Sequence, residues 1–132
     1  EAAITYLKEQ GVEKIVLIAH SCGAHMAMHR VRELGEKDLA AYVGIGMGAT
    51  DYKQPMKQPF PLDNLSIPIF DVYAENDFPA VLRMAPERLA MIKKAGNTQS
   101  AQQEIAGAEH YFNGSNDELV EAISNWLNGL TL

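Results

Sequence analysis

Hydrophobic residues run without a break from Ile15 to Ala19. Polar positions return at His20 and Ser21, and then Met26, Met28, Val31 and Leu34 mark out a helix over Gly23 to Leu34. A run this short and this rich in β-branched residues predicts a parallel strand buried on both faces, and Gly35 ends the helix after it. Ahead of that pair, Ile4, Leu7 and Lys8 within Ala2 to Gln10 fit a short helix that Gly11 stops. Ala40 to Met47 predicts a second strand, weakened by its glycines. From Gly48 to Ser66 the chain turns polar and carries Pro55, Pro59 and Pro61, so a surface loop is expected there.

Ile67 to Ala74 predicts a third strand, with Pro68 tolerated near its start. Leu82, Leu89 and Ile92 share one face of a helix over Ala80 to Ala95, closed by Gly96 and Asn97. Ala101 to Ile105 is a weak, polar strand suited to a sheet edge. Ser115 and Glu118 have capping-box spacing ahead of a last helix, Asp117 to Leu130, whose Leu119, Val120, Ile123, Trp126 and Leu127 form an apolar stripe. Helices thus alternate with strands. That order predicts an α/β fold, a parallel sheet of about four strands flanked by helices in three layers (α/β/α), as a single domain over residues 1–132.

Composition narrows the function classes. A chain of 132 residues, 47% hydrophobic and 21% charged, supports one ordinary core. Its formal charge of -6 argues against nucleic acid as a partner, since phosphate binding needs clustered Lys and Arg. No apolar stretch reaches the roughly 18 to 20 residues of a membrane span, and the first residues lack a basic signal-peptide opening. The expectation is a soluble protein without a membrane partner, cytoplasmic unless an upstream segment carries a signal. The lone Cys22 cannot form an internal disulfide.

The candidate chemistry starts at Ser21. A serine held between small residues at a strand-to-helix turn is well placed to act as a nucleophile, but it needs a base and a group to orient that base. Asp77 follows the third strand and His110 follows the fourth, and in an open parallel sheet the carboxyl ends of the strands meet along one edge. Asp71 and Glu75 compete with Asp77; Asp71 lies mid-strand and Glu75 two residues early.

With Ala19-His20-Ser21-Cys22-Gly23 as a nucleophile elbow, Asp77 after its strand and His110 in a glycine-led loop before the closing helix, the chain resembles the α/β-hydrolase superfamily. The resemblance runs from the elbow strand of that fold to its last helix, its carboxyl-terminal half. It implies a serine hydrolase of esterase or thioesterase type that needs no metal or organic cofactor. Ser21 would be the nucleophile, His110 the general base, Asp77 its orienting carboxylate, and the Cys22 backbone N–H one oxyanion donor. The family usually draws a second donor from a loop after an earlier strand, and it has further strands before the elbow, where here fourteen residues precede Ile15. Ala19 stands where the family has its first elbow glycine.

Three expectations follow from that resemblance. Activity is impaired in this short form. The Ile15–Ala19 strand edge is covered by a second copy of the chain or by an amino-terminal half. Thr50 to Ser66 sits where family members insert lids. The alternative reading is a non-catalytic remnant or interaction module that keeps the fold; a thiol or haloalkane-type variant is disfavoured because the elbow residue is Ser21.

Other polar residues have plainer readings. Ser21 alone could be a helix cap. His25, His29 and Glu33 fall four residues apart, a spacing suited to metal ligands, but a solvated helix face explains them and no fourth ligand is evident. His20 shapes a pocket wall. Tyr111 and Phe112 line an acyl pocket or anchor their loop. Cys22 is expected to be small and packed, and Met26, Met28, Met84 and Met91 to fill the core.

Overall fold

The computed structural model describes residues 1–48 and 60–132. Along the chain come α1 (Ala2–Glu9), β1 (Val16–His20), α2 (Cys22–Leu34), β2 (Ala41–Ile45), a 3-10 turn (Leu62–Asn64), β3 (Ile69–Asn76), α3 (Pro79–Ala95), β4 (Ala101–Glu109) and α4 (Asn116–Asn128). Among the described residues four strands form one sheet in the order β1-β2-β3-β4, and every neighbouring pair is parallel. This is the predicted architecture.

Side-chain alternation divides the core. Tyr42 and Ile69 pack with Ala24, Ala27, Met28 and Val31 of α2 and Ile92 of α3. Their neighbours Val43 and Phe70 point the other way, joining Ala122 of α4 with Ile105 and Ala108 of β4. All of β2 is buried, as a central parallel strand requires. A smaller cluster of Ile4, Ile15 and Leu39 seats α1.

Several expectations are corrected. β1 has the expected unpaired edge but is not buried on both faces: only Ala19 is buried within it, and Ile18 is 49% exposed. The buried face of α3 is Val81, Ala85, Arg88 and Ile92, not the stripe through Leu82 and Leu89, because an arginine takes the core-facing position. β4 does form the polar edge but continues four residues beyond Ile105, carried past an irregularity opposite Ala74 and Asn76. Gly107 adopts φ +71 in this stretch and donates its N–H to Glu75, a conformation suited to glycine at a bulge.

Ser115 makes no side-chain capping bond, so the predicted capping box does not form, and Val120 lies exposed off the apolar face of α4. The predicted surface loop is only partly one. Phe60, Leu62 and Leu65 are buried core residues, while the rest of the predicted loop and lid, residues 49–59, falls outside the described residues. Met28 fills the core, but Met26 is exposed.

Candidate active site

Because the strands are parallel, the residues that follow their carboxyl ends share one edge of the sheet. Ser21 follows β1, Asp77 follows β3 by one residue, and His110 follows β4. Ser21 sits at φ +51 and ψ -117 between strand and helix, a backbone region that non-glycine residues seldom occupy and that strained functional turns do. Its N–H donates to the Ile45 carbonyl at the end of β2, 2.9 Å away.

The structure brings the three candidates into one hydrogen-bonded line. His110 Nδ1 lies 2.5 Å from Asp77 Oδ1, and His110 Nε2 lies 2.8 Å from Ser21 Oγ. An ionised carboxylate only accepts, so Nδ1 carries the proton of the neutral ring. Nε2 is then the acceptor for the Ser21 hydroxyl. Asp77 and His110 are both buried. The carboxylate is held further by the Phe78 N–H on Oδ1 at 2.8 Å and the Ala74 N–H on Oδ2 at 3.1 Å.

Neighbouring groups fix the imidazole. Phe78 stacks on it with ring centroids 4.0 Å apart and planes 22° from parallel, while 49% of Phe78 stays exposed. His20 Nε2 donates to the His110 carbonyl at 2.8 Å, and its ring lies 4.9 Å from that of His110. Gly46, at φ +58, lies against the same ring; a Cβ there would stand 3.1 Å from His110 Cε1. Tyr111 is exposed and meets both the His110 and Phe78 rings edge-on. Phe112 is buried in the core beside Val43 and Ile45, so it anchors the loop and does not line an open pocket. Glu109 folds that loop by accepting the Tyr111 and Asn113 N–H groups, which hold its carboxyl below the ordinary range.

Cys22 opens α2, where a backbone N–H lacks a partner within the helix and can serve an anion. Its side chain is exposed, not packed as expected. His25 is likewise not on a solvated face: it is buried, its Nε2 donates to the Gly48 carbonyl at 2.9 Å, and its ring packs on Phe60. His29 and Glu33 are exposed. Among the described residues, no group of three or more His, Cys, Asp or Glu side chains could hold a metal ion, and no helix is long and apolar enough to cross a membrane.

Two site residues escape a sequence-only reading. Phe78 carries no signal beyond its place between Asp77 and the helix-opening Pro79. Gly46 does carry one, since two glycines at a strand end, Gly44 and Gly46, mark close approach by another group.

Solved structures share this fold. A chain described as a predicted CIB-like hydrolase from Thermoplasma acidophilum superposes with a TM-score of 0.69 at 16% identity, over 95% of this chain and 56% of that one. An α/β serine hydrolase homologue from Coxiella burnetii gives a TM-score of 0.65 at 14% identity, over 98% and 56%. The esterase domain of a Rhodothermus marinus protein gives 0.63 at 17%, over 95% and 65%. The chain therefore has the α/β-hydrolase fold over most of its length and spans about 56% of the first of these relatives. No curated protein matches its sequence. A family model described as "Protein of unknown function (DUF3530)" matches residues 1–129.

Proposed function

We propose that this chain, which belongs to the DUF3530 family, is a serine hydrolase of carboxylic esters or thioesters. The observation that carries the proposal is the line Ser21 Oγ, His110 Nε2, His110 Nδ1, Asp77 Oδ1, with a nucleophile on a strained turn. In this mechanism His110 Nε2 takes the hydroxyl proton as Ser21 Oγ bonds to the substrate carbonyl carbon. The resulting oxyanion accepts the Cys22 backbone N–H. Collapse of the tetrahedral species breaks the bond to the leaving alcohol or thiol, which takes the proton from His110 Nε2. A water then repeats the sequence on the acyl-serine and restores the hydroxyl. Asp77 stays ionised throughout, holding the ring in its Nδ1–H tautomer. Phe78 shields one face of that ring from water, and Tyr111 and His20 pack against the same ring.

Reaction with a fluorophosphonate probe, which labels only activated serines, is the first test, with hydrolysis of a p-nitrophenyl ester as the second. Ser21→Ala and His110→Ala are expected to abolish both, and Asp77→Asn to lower turnover on the order of 10⁴-fold, because the carboxamide stabilises the wrong tautomer. Undiminished labelling of Ser21→Ala would overturn the mechanism. A second reading, in which the fold persists without chemistry, draws on Ala19 at the position where the elbow usually has glycine. Its methyl is accommodated, packed in the core opposite Gly44. An unlabelled wild-type protein would decide for that reading.

A further inference from the structure

Arg88, at the centre of the buried face of α3, is wholly buried, and so is its ion-pair partner Asp71 of β3. Arg88 Nε donates to Asp71 Oδ2 at 2.8 Å. Its Nη1 donates to two backbone carbonyls, Met47 at 2.5 Å and Val81 at 2.9 Å. Gln102 of β4 adds bonds to the same Asp71 oxygen and to the Ala85 carbonyl. One guanidinium thus joins the middle of β3, the first turn of α3 and the residues that follow β2.

As a stabilising device alone this network is inefficient. Two ions have left water, and a well-packed apolar pair of similar volume would stabilise the fold as well. Arg88 Nη2 and Asp71 Oδ1 also lack hydrogen-bond partners among the described residues. What the network does beyond packing is fix one short segment, residues 45–48. The Ile45 carbonyl accepts the Ser21 N–H. Gly46 lies so close to the site that a Cβ there would be 3.1 Å from His110 Cε1 and 3.5 Å from Asp77 Oδ2. Gly48 abuts α3, where an added Cβ would come within 2.7 Å of the Val81 nitrogen. Ser21 is therefore hydrogen-bonded to the end of β2, and His110 and Asp77 lie close against it. Arg88 grips that end by the carbonyl between its two glycines, through the same nitrogen that holds the α3 turn following Asp77 and Phe78.

We propose that Arg88 is a positioning residue: it locks residues 45–48 against the first turn of α3 and so sets the distances among Ser21, His110 and Asp77 without touching substrate. Its rate readouts rest on the serine-hydrolase proposal; its spectroscopic readout does not. Two variants test it. Arg88→Lys keeps a positive charge beside Asp71 but loses the planar fork that serves a carboxylate and two carbonyls together. The double substitution Asp71→Leu with Arg88→Met replaces the ion pair by apolar side chains.

For each folded variant, kcat and KM on p-nitrophenyl acetate, the rate of fluorophosphonate labelling and the proton resonance of His110 Nδ1–H are compared with wild type. The expected result is a loss in kcat and labelling rate on the order of 100-fold with KM nearly unchanged, since misplacement of about 1 Å suffices for such a loss. The Nδ1–H resonance moves or disappears. Wild-type kcat with an unmoved resonance in either folded variant overturns the proposal, as does a loss of rate that only tracks the fraction unfolded. If wild type neither turns over ester nor labels, the serine-hydrolase reading has failed, and the resonance alone decides the role of Arg88.

Discussion

Ser21 holds a backbone conformation that costs free energy, and nothing in its side-chain bonding requires φ +51 except the delivery of its hydroxyl to His110. Glycine adopts that conformation without steric penalty. Ser21→Gly is therefore expected to raise the free energy of unfolding by roughly 1 kcal/mol, the strain relieved exceeding the entropy glycine adds to the unfolded chain, while abolishing labelling. Denaturant titration checks it, and a variant no more stable than wild type would show the turn to be unstrained. Gly46 supplies the opposite case. Its positive φ strains any side chain, and a methyl group 3.1 Å from His110 Cε1 obliges the imidazole to give by a few tenths of an ångström, so Gly46→Ala should lower both stability and kcat, a loss smaller than that of His110→Ala. That Ser21, Asp77 and His110 would meet at one edge of the sheet was legible in the sequence, because residue type and position after a strand are both local properties. The placement of Phe78 on the His110 ring and of Arg88 against Asp71 was not, because it depends on which side chain stands opposite in the folded chain.

At the scale of elements, helix periodicity located α3 but misjudged its buried side. A hydrophobicity count assigns Leu82 and Leu89 inward and arginine outward; the carboxylate of Asp71 on the facing strand reverses that choice. Arg88→Met alone leaves Asp71 buried without its counter-charge, and it should cost about 3 to 5 kcal/mol of stability where the double substitution with Asp71→Leu costs far less. Urea unfolding of the pair of variants tests this, and equal losses would contradict it. On α2, burial pushes the imidazole of His25 below its ordinary value of 6.5, aided by the charge of Arg32 and opposed by the bond to the Gly48 carbonyl. The unfolded chain therefore binds a proton at a higher pH than the native one. This contribution to stability is fully present above about pH 6.5 and declines as pH falls from there through the lower native value. His25→Gln should flatten the pH dependence of the unfolding midpoint across that window; an unchanged slope would remove His25 as its source.

At the scale of the whole molecule, the sheet ends on two unlike edges. β4 exposes Gln103 and Glu104, side chains that discourage pairing with another strand. β1 exposes Ile18 at 49%, so this edge presents an apolar side chain and is unpaired among the described residues. Of the two expected covers, a second copy of the chain and an amino-terminal half of the fold, the first is tested directly in solution: two copies would pair along β1. Solution scattering would then return twice the 14.5 kDa mass of one chain, and Ile18→Lys, which sets a charge on the pairing edge, would return a single mass. A wild-type protein of single mass would refute the pairing. The edge also bears on catalysis, because β1 leads directly into Ser21 and the Cys22 N–H. Loss of one oxyanion donor costs about 2.7 to 4 kcal/mol of transition-state stabilisation. If the paired copy borders that position and supplies a second donor, the labelling rate per chain must fall on dilution as the dimer dissociates, and Ile18→Lys must show the low rate at every concentration. A per-chain rate that stays constant across dissociation would separate assembly from chemistry and leave one chain to provide the whole of the oxyanion stabilisation.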